Sequence, residues 1–138
     1  HFNIVKYFLD LENENENEKE KEKENGKEKI DMNIIDEDGL FPLYSACQNN
    51  HLEIVKLLLN DKRINVNQED DEFGCTSLFI ACFNNHLEIV KLLLNDKRID
   101  INYEDYERQR PIHYACLNGS FEVVEFLLNK IENLDLLT

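Results

Sequence analysis

The chain has 138 residues, 42% of them hydrophobic, and a formal net charge of −14. That composition is globular, and the length suits one domain with a real core, since a chain of this size withdraws roughly two-thirds of its unfolded surface from water. The charge repels phosphate backbones and argues against nucleic acid as a partner, no apolar run nears the ~20 residues of a membrane span, and no secretory signal is visible.

The first element is HFNIVKYFLD, His1–Asp10, whose apolar Phe2, Ile4, Tyr7 and Phe8 recur at helical spacing. The pattern is already running at a residue that is not Met, so the chain is expected to be a fragment of something longer. Its truncated first unit is expected to fray or to associate with other copies, the rest of the chain being monomeric. Next comes LENENENEKEKEKENGKEK, with no apolar residue after Leu11. It cannot offset ordering entropy by burial and is expected to be a mobile loop. Glu12–Lys29 holds eight Glu and five Lys, so most of the negative charge lies elsewhere.

From Ile30 onward the chain repeats itself. A connector (KIDMN, RINVN, RIDIN) leads to an acidic turn (DEDG at Asp36, DEFG at Asp71, DYER at Asp105). A short helix follows (FPLYSACQNN, TSLFIACFNN, RPIHYACLNG), then a longer one (HLEIVKLLLN at His51 and His86, SFEVVEFLLN at Ser120). Pro42 and Pro111 fall just inside the short helices, where a missing N–H costs nothing. Thr76 is placed to cap the second of these helices. Ala46, Ala81 and Ala115 are small enough to let neighbouring helices approach. In the longer helix Leu52, Val55, Leu58 and Leu59 line most of the circumference, as in a middle layer. The stretch NNHLEIVKLLLNDKRI occurs twice without a change, 35 residues apart. A single unit cannot bury its own apolar faces, whereas a linear stack asks each internal unit for the same two interfaces.

These residues resemble ankyrin repeats. The family's T-P-L-H-x-A is matched at Phe41–Ala46, Thr76–Ala81 and Arg110–Ala115, and its G-H-L-E-[IV]-V-x-x-L-L at Asn50–Leu59, Asn85–Leu94 and Gly119–Leu128. The resemblance implies an all-α solenoid of stacked helix-turn-helix units with β-hairpin-like loops. The approximate divisions are a half repeat at 1–10, the insertion at 11–29, and repeats at 33–66, 67–101 and 102–138. The units are longer than the family's ~33 residues. The extra residues are placed in the DKRI connector and in QEDD. Arg108 stands where Gly39 and Gly74 close the other turns; a positive φ there would cost about 1 kcal/mol and could rearrange the turn.

No catalytic, metal or cofactor site is expected. Cys47, Cys82 and Cys116 share one register and are expected to be small core residues, reduced and therefore intracellular, in cytoplasm or nucleus. Cys75 is expected to be exposed on a turn, with no neighbour to activate it. His51 and His86 share a register in which the family's histidine ties units together, and no zinc spacing accompanies them. The acidic turns lack the spacing of a calcium loop.

The resemblance also implies that partners contact the tips of the loops and the exposed strip of the first helices, on the concave face. In this sequence those positions are Glu37, Asp38, Leu40, Gln48 and Asn49 in one unit. The next unit offers Asp70, Glu72, Phe73, Cys75, Phe83 and Asn84, and the last offers Tyr106, Glu107, Gln109, Leu117 and Asn118. Ten of the 21 acids outside the Glu/Lys tract lie on the three turns, interleaved with apolar residues for which the fold has no need. That pattern suits a protein or peptide partner, basic and with apolar anchors, and no membrane. Two alternatives are a regulatory arm of a larger enzyme and a structural spacer.

Overall fold

The computed structural model describes residues 31–135. The half repeat expected at 1–10 and the insertion at 11–29 lie outside the described residues. Six helices follow in order: α1 Pro42–Gln48, α2 Leu52–Asn60, α3 Ser77–Phe83, α4 Leu87–Asn95, α5 Pro111–Leu117 and α6 Phe121–Asp135. Among the described residues there is no strand, so the acidic turns are fingers held by isolated backbone bonds.

The first helices have seven residues each, and α2 and α4 have nine. Helices below about 12 residues do not persist alone in water, so these must be held from outside. Stacking supplies that support: α1, α3 and α5 form one row, and α2, α4 and α6 a second behind it. Ala46, Ala81 and Ala115 are fully buried in the first row, and Val55, Leu58, Val90, Leu93, Val123 and Leu127 in the second. All belong to one continuous core.

Each first helix turns into the second through one residue in the left-handed region: Asn50 at φ 58, Asn85 at φ 56 and Gly119 at φ 67. The next residue then donates back to the buried alanine, His51 N–H to Ala46 O at 2.9 Å, His86 to Ala81 at 3.0 Å and Ser120 to Ala115 at 2.9 Å. With Asn50 N–H on Cys47 O, this is the Schellman closure of a helix end. Asn and Gly are the residues that enter this region at least cost, which accounts for the NN, NN and NG pairs.

The lengthened connectors lash unit to unit. The Asn33 side chain donates to Arg63 O at 3.0 Å and accepts from Asn65 N–H at 2.7 Å, and Asn67 donates to Arg98 O at 2.9 Å. Arg98, paired with Asp96 at 2.7 Å, donates to Leu59 O at the end of α2 at 2.9 Å and to Ile64 O at 3.4 Å. Its hydrogen bond holds the Asp96 carboxyl below the usual carboxylate range.

Three expectations need correction. Thr76 does not cap α3; that helix starts behind an extended, uncapped residue, as α1 does behind Phe41. Cys47 and Cys82 are buried, but Cys116 is exposed, because in the described residues no unit stacks on α5. Arg108 does adopt φ 63, and the turn keeps its form: Arg108 N–H donates to Asp105 O at 3.1 Å and Asp105 N–H to Gln109 O at 2.9 Å. The strain is retained, not relieved by rearrangement.

Replacing Arg108 with glycine should therefore stabilise the fold by about 1 kcal/mol, less what glycine gains in unfolded-state entropy. Urea denaturation of the two proteins checks it.

Candidate functional site

Each finger begins at an aspartate whose backbone N–H is bonded across the loop: Asp36 to Leu40 O at 2.7 Å, Asp70 to Cys75 O at 2.9 Å, Asp105 to Gln109 O at 2.9 Å. Each side chain accepts from N–H groups inside its own loop. Asp36 takes Asp38 and Leu40, and Asp105 takes Glu107 and Gln109. Asp70 takes three, Glu72 at 3.1 Å, Phe73 at 2.7 Å and Gly74 at 3.1 Å. Asp70, not Asp71, is therefore the counterpart of Asp36 and Asp105. The extra residue lies not in QEDD but at the tip. Between the aspartate and the left-handed Gly39, Gly74 or Arg108, the outer fingers have two residues and the middle one three; the third is Phe73. Asp70 is also buried, so it shapes the finger and is not offered to a partner.

The residue after the second and the third aspartate leans on the finger before it. Asp71 lies 3.8 Å from where a Cβ on Gly39 would be, and the ring of Tyr106 would come within 2.5 Å of a Cβ on Gly74. Tyr106 N–H donates to Phe73 O at 3.0 Å, linking the middle and last tips. Beneath them, Tyr114 O–H donates to the second oxygen of Asp105 at 2.6 Å, and Cys75 Sγ to Tyr114 Oη at 3.3 Å. Phe79 receives Tyr114 edge-on at 5.0 Å, and Tyr103 O–H donates to Glu69. Burial, then Glu69, pushes the Tyr103 hydroxyl up to about 12, and burial, then Asp105, raises that of Tyr114. Cys75, expected to be exposed, is buried under this network, and burial pushes its thiol up to about 11. Sequence reasoning missed Tyr103 and Tyr114. Their only signal was that they depart from Gln68 and Ile80 at the same registers.

Of the other sequence-derived residues, Glu37, Asp38, Glu72, Glu107, Gln109, Gln48 and Asn49 are exposed and Leu40 is half-buried. Phe83 and Asn84 are half-buried. Asn84 and Asn118 are engaged with the preceding unit, donating to Gln48 O at 3.5 Å and Phe83 O at 2.7 Å. Those same carbonyls accept from His86 Nε2 at 3.1 Å and Ser120 Oγ at 3.0 Å. A carbonyl can only accept, so His86 carries its proton on Nε2, and it ties units together as expected. Leu117 is 78% and Phe121 82% exposed, but both lie on the end of the stack at registers shared with the half-buried Phe83 and Leu87. Their exposure reflects position. That leaves Phe73, 53% exposed, and Tyr106, 62%, as the bare aromatic groups of the fingers.

Around them the acids are largely uncompensated. Of the ion pairs between described residues, one reaches a finger, Arg110 to Glu104 at 3.7 Å. No group of three potential metal ligands occurs among the described residues, and no described helix is long and apolar enough to cross a membrane. The arrangement can present charge and aromatic surface to another molecule.

A family model described as ankyrin repeats (3 copies) matches residues 1–105 and again 63–136. No curated protein matches the chain.

Gly74→Ala should both strain the φ of 73 and displace Tyr106, costing on the order of 1–3 kcal/mol in denaturant unfolding. Titration of the native protein with a chromogenic disulfide should find Cys116 reacting first, with Cys47, Cys75 and Cys82 released only on unfolding.

Proposed function

The chain belongs to the ankyrin repeat family, whose members are generally protein–protein interaction modules and typically not enzymes, and from that premise we propose that its fingers and the exposed strip of its first helices hold a basic protein or peptide segment. The observation that carries this reading is the pair of bare aromatic rings, Phe73 and Tyr106, standing among acids on the fingers. A folding requirement does not account for Phe73, since the neighbouring fingers close without a residue at that place, and Tyr106, although it packs on Gly74, keeps most of its surface exposed. Aromatic side chains in a charged rim are the usual energetic centres of protein interfaces, with complementary charge setting encounter rate and register. Exposed Glu37, Asp38, Glu72 and Glu107 support a cationic partner. The backbone that displays them is tied down by turn bonds and by contacts to the next unit, so little freedom is lost on binding. Four unbridged cysteines support an intracellular setting.

With a verified partner in hand, Phe73→Ala combined with Tyr106→Ala should weaken binding about tenfold or more. Raising salt from low to physiological strength should weaken it as well, mostly through slower association. Unchanged affinity in the double variant, measured by calorimetry, would assign the contact to some other surface.

A further inference from the structure

Charge is not uniform along the finger face. The first finger turns out Glu37 and Asp38 and the second Asp71 and Glu72, all exposed, and neither finger carries a base. The third differs. Glu107 is followed by exposed Arg108, held at the tip by its left-handed φ of 63, and Glu104 is matched by Arg110 at 3.7 Å. Between the acidic pair of fingers and the balanced one stands Phe73. It is the residue by which the middle finger exceeds the others, its side chain is more than half exposed, and its carbonyl accepts the Tyr106 N–H. The first and third turns close through the same aspartate geometry without it.

We infer that Phe73 and Tyr106 form a ledge for one apolar side chain of the bound segment, with that segment's lysine or arginine residues over fingers one and two and an acidic residue over Arg108. The inference rests on the finger-face reading above and adds a polarity to it. A segment basic throughout meets like charge at Arg108. A segment basic at one end and acidic at the other avoids that contact and sets its acid against Arg108. Among exposed groups such a change is worth up to roughly fivefold in affinity.

Two short synthetic peptides of equal length test it. Both have leucine at the centre; one has lysines at both ends, the other lysines at one end and glutamates at the other. They are titrated at low salt into the isotope-labelled chain and into Arg108→Glu, and amide shifts are followed. Because the whole chain is acidic, the all-lysine peptide gains a general attraction at low salt, so the ratio of the two affinities is what is read: Arg108→Glu should move it toward the all-lysine peptide by about two- to fivefold. Shifts should centre on the fingers. Deletion of Phe73, which leaves a turn of the length of its neighbours, should weaken both peptides while the thermal transition is kept. If both peptides bind at the fingers but Arg108→Glu does not alter the ratio of their affinities, the polarity is wrong and the finger-face reading stands. If deleting Phe73 leaves affinity unchanged, the ledge is wrong. Saturable shifts away from the fingers, or none with either peptide, overturn the inference and the reading beneath it together.

Discussion

Contact between like helices in successive units is the constraint under which the rest of the molecule operates. A seven-residue helix has too few internal hydrogen bonds to outlast its own nucleation cost. Here it is kept by a neighbour of nearly the same sequence, approached closely because the contact residue is an alanine that is fully buried. Stability in such an architecture accrues at interfaces, one at a time. The same logic explains what is bare at the α5–α6 end. Cys116, Leu117 and Phe121 occupy registers that are covered or partly covered one unit earlier.

Apolar stacking leaves units free to slide or rotate, and polar contacts remove that freedom. The carbonyls that close α1 and α3, Gln48 O and Phe83 O, each receive two donors from the following unit. Histidine makes one of them in the internal unit and serine in the last, so the geometry is retained although the residue changes. On the other side of the stack Arg98 spans from Asp96 to the end of α2. The fingers ride on a frame fixed along both rows. Their tips therefore keep defined spacing, which a recognition surface requires.

The fingers separate structural from available groups within a few residues. Asp36, Asp70 and Asp105 turn inward and organise N–H groups, while the acids next to them face solvent. Tyr114 joins Asp105 to Cys75 below, and Tyr106 lies on Gly74 above. A glycine at that point serves two purposes, admitting a positive φ and leaving room for the ring.

The repeat, its helices and the alanine seam could be read from the sequence, because a stack imposes the same local demands in every unit and the letters recur with it; the histidine tie was implied by the family resemblance alone. The helix-closing Asn50 and Asn85 were visible as letters but not as left-handed residues. Which aspartate shapes the middle finger was decided by the fold: Asp70 and Asp71 are adjacent and chemically identical, and only the direction of the N–H groups distinguishes them. The same holds for Cys75, which is buried and donates to Tyr114, 39 residues away. Periodicity reports what each unit shares with its neighbours. What a unit does not share, the inserted Phe73 and the tyrosine bonds, takes its meaning from contacts between units, and those exist only once the stack has brought them side by side.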